Sequence, residues 1–367
     1  MHADIDRRSV SAQLVERIGA AIDRADGWLP FSGFMAMALY EPGLGYYASG
    51  RRIVGRMPEG GSDFVTAPEL SPLFAQALAR QIRQGLDACG SDALWEFGAG
   101  SGALAAELLR TLGDRIGSYS IVELSAPLRE RQRLAIGDPR VRWLDAWPDV
   151  LDGVVIGNEV LDAMPVDLLH FDGAAWLERG VARGRDADAA FAWSDRPSDR
   201  RPPLAAGFGA GATTEIHPQA TAFVASLAER MRRGLALFID YGFPESEYYH
   251  PQRSGGTLMC HRAHRADTDP LSDVGDKDIT AHIDFTGLAL AAQDAGLDVA
   301  GYTSQARFLI NCGIVELLGA ASPRQRADAQ KLVNEHEMGE LFKVIAFARG
   351  IEIEPLGFAS GDRRHRL

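Results

Sequence analysis

A short apolar run leads directly into a glycine-rich turn in the segment Ala93-Leu94-Trp95-Glu96-Phe97-Gly98-Ala99-Gly100-Ser101-Gly102. The apolar run predicts a buried strand, and residues 103–112 after the turn predict a helix. Glycine permits the tight connection between two such elements, so the segment has the form of the first strand, turn and helix of a βαβ unit. It therefore predicts an α/β fold.

The alternation of strands and helices continues along the chain. Further strands are predicted at residues 119–122, 141–144, 154–157, 235–239 and 344–348. Helices are predicted at residues 125–136, 218–233, 284–295 and 323–339. This pattern is typical of a parallel sheet with helices on both faces.

The remaining segments predict additions to that sheet. Helical spacing of apolar residues predicts a helix over 9–25, and Ser71 followed by Pro72 predicts the start of another. A hairpin is predicted at 168–171 and 176–181, and residues 183–213 are expected to form a solvated loop.

These elements predict three regions. Residues 1–90 are expected to form an N-terminal helical cap or lid, and residues 351–367 a C-terminal tail. The core is expected to span 91–350, with insertions at about 166–215 and 244–283.

Composition narrows the class of protein. The chain has 367 residues, 46% of them hydrophobic, and a formal net charge of -12, which disfavours binding to nucleic acid or to an anionic membrane. Three distant cysteines indicate no disulfide framework, and no apolar run approaches the roughly 20 residues of a membrane span. Without an apolar signal stretch in residues 1–8, a cytoplasmic location is expected. Lysine occurs only at 277, 331 and 343, a bias that suggests a GC-rich bacterial genome.

The glycine turn predicts a site for a nucleotide-like cofactor. Gly98, Gly100 and Ala103 satisfy the loose dinucleotide fingerprint, so a nicotinamide oxidoreductase is one interpretation. Glu96 favours another, S-adenosylmethionine (SAM), because a carboxylate disfavours a pyrophosphate but suits a sulfonium and an ammonium. The predicted cofactor-binding residues here are Glu96, Gly98, Ala99, Gly100 and Gly102.

Acidic residues also end the next two strands. Glu123, about 20 residues after the glycines, could accept hydrogen bonds from both ribose hydroxyls. Its neighbour Leu124 is placed in the same site, and Asp145 could meet the adenine amino group. The alternatives are a surface glutamate at 123 and a turn aspartate at 145.

An acidic loop follows the fourth predicted strand. It contains Asn158, Glu159 and Asp162, at the edge of the sheet where α/β proteins place their chemistry. Methyl transfer needs an aligned acceptor, and a carboxylate can anchor an arginine side chain bidentately and take its proton. Glu159 and Asp162 are therefore candidate catalytic residues, and Asn158 a candidate contact to cofactor or substrate.

Other residues are weaker candidates for the same site. Tyr241 could form an aromatic wall around a guanidinium, and His282 with Asp284 could form a positioning pair, although Asp284 could instead cap a helix. Thr66 and Glu69 could belong to a cofactor lid or simply begin a helix. The sequence Cys260-His261-x-x-His264 lacks the ligands of a tetrahedral metal site, so no metal is predicted.

The chain resembles the MidA family of SAM-dependent methyltransferases. The resemblance rests on 61–72, 96–102, 122–125, 158–166, 238–242, 256–260 and 278–285. It implies a Rossmann-like class I methyltransferase core with an N-terminal helical cap and an inserted subdomain. Mitochondrial members imply symmetric dimethylation of an arginine in a respiratory complex I subunit.

Three functions remain open at this point. The first is methylation of a protein arginine, an acceptor that suits the acidic chain. The second is an assembly or scaffolding factor whose fold mainly binds a partner, and the third is methylation of a small-molecule nitrogen acceptor.

Overall fold

The computed structural model describes residues 2–49, 66–185, 189–262 and 265–367. Residues 61–65 of the first resemblance segment and His264 lie outside these ranges. The α-helices are α1 (His2–Arg24), α2 (Phe31–Tyr40), α3 (Ala67–Leu70), α4 (Pro72–Cys89), α5 (Ala103–Leu112), α6 (Ala126–Ile136), α7 (Pro218–Arg230), α8 (Glu245–Tyr248), α9 (Phe285–Asp294), α10 (Gln305–Asn311), α11 (Ile314–Ala320) and α12 (Pro323–Val333).

The strands form three sheets. They are β1 (Leu29–Pro30), β2 (Ala93–Phe97), β3 (Ser118–Val122), β4 (Val141–Leu144), β5 (Leu151–Asn158), β6 (Asp167–Phe171), β7 (Trp176–Arg183), β8 (Phe191–Pro197), β9 (Thr213–Ile216), β10 (Met231–Phe243), β11 (Met259–Arg262), β12 (Arg265–Asp267), β13 (Asp278–Thr280), β14 (Ile283–Asp284), β15 (Asp298–Ser304) and β16 (Phe342–Arg349).

The main sheet confirms the predicted α/β fold. Its strand order is β15-β16-β10-β5-β2-β3-β4. Strands β4, β3, β2, β5 and β10 are parallel, so their carboxyl ends share one edge. Strands β16 and β15 run antiparallel and complete the other side.

Helices cover both faces of this sheet. On one face, residues of α4, α5, α10 and α12 share a buried apolar cluster with the sheet, and on the other face α7 and α9 do so. Ser71 caps α4 by accepting from the Leu73 N–H, as predicted. Helix α4 contributes to the main core although it lies within residues 1–90, and Phe358 of the predicted tail is buried there too. The domain boundaries stay predictions.

A second, antiparallel sheet carries the N-terminal helices. Its order is β1-β7-β6-β9, with β8 paired to β7, and it includes the predicted hairpin of β6 and β7. Helices α1 and α2 pack on it through a separate apolar cluster that includes Leu14, Ile18 and Phe34. No helix of the described residues is long and apolar enough to cross a membrane.

The predicted solvated loop at 183–213 is wrong over residues 191–197. There β8 pairs with β7, and Phe191 is buried against Phe34. The polar composition of the segment hid a strand in which only alternate side chains need to be apolar. Residues 186–188 of that loop lie outside the described ranges.

Candidate functional site

The glycine turn after β2 lies at the carboxyl edge of the main sheet. Gly98, Gly100 and Gly102 have φ of 65°, 53° and 84°, a region that disfavours side chains. A Cβ at Gly98 would lie 2.9 Å from Val160, whereas a Cβ at Gly100 would meet no heavy atom within 4 Å. Gly98 thus permits close packing against the loop after β5, and Gly100 borders open space.

Glu96 lies buried in β2, directly before this turn. It is 2% exposed, and the Tyr119 hydroxyl donates to its Oε2 at 2.7 Å. Burial raises the pKa of Glu96 to about 7. Tyr119 was not predicted as a site residue. The sequence shows only that it lies in the next predicted strand, 119–122.

Glu123 is fixed at the end of β3. Its Oε1 accepts from the Ser125 N–H at 2.9 Å, and its Oε2 accepts from the Gln132 amide at 3.2 Å. Gln132 also donates to the carbonyl of Gly100 at 3.0 Å, which ties the carboxylate to the glycine turn. Burial raises the pKa of Glu123. Gln132 carried no signal in the sequence beyond its helix.

Two residues near Glu123 are strongly exposed. Leu124 is 68% exposed, unusual for a large apolar side chain next to a buried carboxylate. The Asp145 side chain is 80% exposed, 3.8 Å from Arg129. Open space at Gly100, a carboxylate with remaining lone pairs and an exposed apolar side chain together fit a ligand that carries a ribose and an adenine.

The acidic loop after β5 holds Glu159 in a strained conformation. Its φ is 54°, which costs about 1–2 kcal/mol for a non-glycine residue, and such strain clusters at functional sites. The Glu159 N–H donates to the Ile239 carbonyl at 2.9 Å, and the Asn158 amide donates to Glu159 Oε1 at 2.9 Å. Burial and then the charge of Asp162 raise the pKa of Glu159 to about 8.

Asp162 is joined to Tyr241 from the neighbouring strand. Asp162 is 5% exposed, and the Tyr241 hydroxyl donates to its Oδ2. Burial raises the pKa of Asp162 to about 6. The hydrogen bond directs the Tyr241 hydroxyl at the acidic loop, so Tyr241 is more than a core aromatic residue.

The sequence places Asp240 on the substrate side of the cleft, but it predicts no role for this residue. Its Oδ2 accepts from the N–H groups of Val160, Leu161 and Asp162 at 3.2, 2.9 and 3.3 Å and so shapes the acidic loop. Burial, Asp162 and Glu159 raise the pKa of Asp240 well above its usual range. The signal was available, since an acidic residue directly follows the buried strand 235–239.

The structure separates His282 from Asp284. The His282 ring lies 5.0 Å from the Tyr241 ring and stacks on Phe243 at 5.3 Å, and burial lowers its pKa to about 4. Asp284 Oδ1 instead accepts from the Thr286 and Gly287 N–H groups, both at 3.1 Å. The helix-cap interpretation of Asp284 is therefore confirmed.

Thr66 and Glu69 lie around the short helix α3, next to the acidic loop. The Ala67 N–H donates to the Glu159 carboxylate, and the charge of Glu69 adds to the rise in the Glu159 pKa. Thr66 precedes α3 without a side-chain cap bond. Glu69 thus lies near Glu159, and Thr66 directly precedes the helix that contacts the acidic loop.

The acidic loop is short of donors and of positive charge. Among the described residues, Asn158 Oδ1, Asp162 Oδ1 and His282 Nδ1 are buried without a hydrogen-bond partner. Within that same part of the chain, no lysine or arginine forms an ion pair with Glu159, Asp162 or Asp240. Buried acceptors of this kind are satisfied by a ligand that brings N–H groups and positive charge.

The glycine turn, Glu123 and the acidic loop lie at the carboxyl edge of one parallel sheet, where α/β proteins bind nucleotide-like ligands. Residues 77–303 match the model of a family of S-adenosyl-L-methionine-dependent methyltransferases, and the chain belongs to this family. The membership confirms the predicted cofactor and the Rossmann-like class, and it decides against the dinucleotide interpretation.

Relatives extend the match over the whole chain. A Burkholderia thailandensis protein, crystallised with S-adenosyl-homocysteine, is 50% identical with a TM-score of 0.94, covering 99% of this chain and 98% of that one. A native crystal structure from the same organism is 49% identical with a TM-score of 0.90 and the same coverage.

Curated relatives are more distant. The mitochondrial protein arginine methyltransferase NDUFAF7 of Danio rerio is 27% identical over 91% of this chain and 86% of its own length. The Caenorhabditis elegans homologue is 26% identical over 86% and 80%. The resemblance to the MidA family is thereby confirmed.

Proposed function

We propose that this methyltransferase transfers the methyl group of SAM to an arginine side chain of a protein. The observation that carries the proposal is a set of carboxylates after β5 and β10 without a basic partner among the described residues: Asp162 and Asp240 are buried, and Glu159 is partly exposed. A guanidinium supplies five N–H donors and a permanent positive charge. Its charge would balance these carboxylates, and its N–H groups would suit Asp162 Oδ1, which has no hydrogen-bond partner. The names of the curated relatives support the same acceptor.

The cofactor is proposed to lie along the edge from β2 to β3. Glu123 would accept the ribose hydroxyls, Leu124 and Asp145 would border the adenine, and Gly98, Ala99, Gly100 and Gly102 would provide the backbone surface. Glu96 would favour the ammonium, and Asn158 Oδ1 would accept from the bound ligands. When bound, the cofactor supplies an electrophilic methyl group.

The acceptor is proposed to lie against the acidic loop. Glu159 and Asp162 would hold the guanidinium by charge-assisted hydrogen bonds and orient one nitrogen toward the methyl group. The positive charge of a bound guanidinium would lower the pKa of Glu159 and keep its carboxylate ionised. As the nitrogen–methyl bond forms and the methyl–sulfur bond breaks, leaving S-adenosyl-homocysteine, the Glu159 carboxylate would take the proton that the nitrogen loses. Tyr241 keeps Asp162 oriented, and the uncharged His282 ring adds no positive charge.

The net charge of the chain and its family resemblance both bear on which protein presents the arginine. An acidic chain with a net charge of -12 attracts a basic partner. The family resemblance adds a respiratory complex I subunit as a specific candidate.

The test uses methyl-labelled SAM with an extract of cells that lack this protein. We expect label in proteins, recovered as methylarginine after acid hydrolysis. E159Q should lower incorporation at least about 100-fold while it keeps SAM affinity, because the amide can neither anchor a guanidinium as an anion nor accept its proton.

Two results would contradict the proposal. If the label were recovered in a methylated small molecule or in another amino acid, that group and not arginine would be the acceptor. The scaffolding role would be favoured if E159Q fully replaced the wild type in cells that lack this protein, and if the wild type formed no methylarginine. E130Q is the matched control, since Glu130 is exposed on α6 and pairs only with Arg133 among the described residues.

A further inference from the structure

Tyr40 ends α2 and reaches the acidic loop from the N-terminal region. Its hydroxyl donates to the carbonyl of Ala163 at 2.8 Å, one residue beyond Asp162. Its ring stacks on Tyr47, with centroids 5.6 Å apart and planes inclined by 17°. The aromatic ring is therefore held beside the residues proposed to bind the acceptor.

The Tyr40–Tyr47 pair is fixed from two further sides. The Tyr47 hydroxyl donates to Asp278 Oδ1 at 2.9 Å, which connects the pair to β13. The Ser125 hydroxyl donates to the Tyr47 carbonyl at 2.7 Å, and Ser125 also binds Glu123 through its own N–H. The pair thus bridges the cofactor edge, the acidic loop and the inserted segment.

Tyr40 remains partly exposed in these acidic surroundings. Tyr40 is 36% exposed although its hydroxyl and one ring face are engaged. Burial, and then the nearby charges of Asp278, Asp162 and Glu123, raise the pKa of its hydroxyl well above its usual range. A partly exposed aromatic side chain among carboxylates is an environment that favours a cation and disfavours an anion or a neutral group.

We propose that Tyr40 provides the aromatic wall on which the substrate guanidinium lies, facing the carboxylates of the acidic loop. This inference rests on the proposed arginine acceptor. A planar guanidinium can stack on the ring while its edge donates to Glu159 and Asp162, a geometry that an ammonium cannot reproduce. The wall was expected at Tyr241, but the Tyr241 hydroxyl is bound to Asp162 and its ring lies between His282 and Phe342.

Two substitutions separate the ring from its hydroxyl. Y40F keeps the π face and loses the bond to Ala163, whereas Y40L loses the π face and keeps an apolar side chain. A role in holding the loop would affect both variants. A role in binding the cation affects mainly Y40L.

The experiment titrates acetyl-arginine methylamide into protein saturated with S-adenosyl-homocysteine, followed by ligand-observed NMR. Acetyl-citrulline methylamide is the neutral comparison and acetyl-lysine methylamide the non-planar cation. We expect the arginine probe to bind wild type and Y40F within about 2-fold, and Y40L about 3- to 10-fold more weakly. The affinity for S-adenosyl-homocysteine, measured by calorimetry, should be equal in all three proteins. If Y40L melts below the assay temperature, Y40M takes its place.

The outcomes distinguish the inference from the function on which it rests. Equal arginine affinities of Y40L and Y40F, or an equal loss in both, would overturn the role of the Tyr40 ring and leave the arginine acceptor standing. Preference of the wild type for the lysine probe would overturn the arginine acceptor, and with it the guanidinium wall. Failure of the wild type to bind any cationic probe would overturn both.

Discussion

Substitution of Glu123 tests cofactor binding separately from the acidic loop. Its two carboxylate oxygens already take one N–H donor each, so they are oriented before a ligand arrives. We predict that E123A weakens SAM binding at least about 100-fold, since two hydrogen bonds to a charged group contribute about 1.5–3 kcal/mol each. Calorimetric titration measures this change.

E130A is the control for E123A, because Glu130 lies on the exposed side of α6. It should bind SAM as tightly as the wild type. Unchanged SAM affinity of E123A would remove Glu123 from the cofactor site.

Glu159 should make stability depend on pH. Its folded pKa of about 8 lies above the usual value of 4.5, so the folded state holds the proton more tightly than the unfolded state does. The associated stability is complete below about pH 4.5 and is lost as pH rises through about 8. We predict that the melting temperature falls between about pH 5 and pH 9 by at least about 2 °C more in wild type than in E159Q, measured by calorimetry.

The difference between wild type and E159Q in the pH dependence of the melting temperature tests this prediction. Parallel melting curves for wild type and E159Q across this range would show that Glu159 ionises normally. D145N is a suitable control, because the Asp145 side chain is 80% exposed.

At the level of elements, the glycine turn between β2 and α5 can be tested for contact with the cofactor. A Cβ at Gly100 meets no protein atom, so G100A should lower stability only by the backbone strain of about 1 kcal/mol. The same methyl group would occupy the space proposed for the cofactor. We predict at least about 10-fold weaker SAM binding for G100A by calorimetry.

G137A is the matched control for the turn. Gly137 has φ of 60°, and a Cβ there also meets nothing within 4 Å, but Gly137 follows the last residue of α6 and is not part of the turn. It should show the same loss of stability with full SAM affinity. Equal SAM binding by G100A and G137A would contradict the placement of the cofactor.

The elements that sequence predicted well carry strong local signals. The apolar runs of β2, β3, β4 and β5, the glycine turn and the Ser71 cap can each be recognised within a few residues. The strand β15 was missed because Gly301 interrupts its pattern and it begins with Asp298. Its stability comes from pairing with β16, which no local window contains.

At the level of the whole molecule, net charge should control the encounter with substrate. A formal charge of -12 attracts a basic protein over long range, and salt screens that attraction. We predict that kcat/KM for a protein acceptor falls about 10-fold between about 50 and 500 mM NaCl. SAM affinity, which depends on short-range contacts, should change less than about 2-fold.

Steady-state kinetics at several salt concentrations measure this effect. If salt lowered kcat/KM equally for acetyl-arginine methylamide and for the protein acceptor, the salt dependence would arise within the site. A flat profile for the protein would mean that long-range charge does not guide the encounter.

The sequence by itself determined the α/β class and the cofactor, because hydrophobic period, glycine turns and strand-end carboxylates are local properties of the chain. The tertiary structure decided the geometry and the charge of the acidic loop. Asp240 binds the loop N–H groups from about 80 residues away, and Tyr40 reaches Ala163 across 123 residues. The raised pKa values of Glu159 and Asp162 arise chiefly from burial, and the charge of Glu69 in α3 adds to the rise at Glu159. Such desolvation and pairing exist only when the distant segments are packed together.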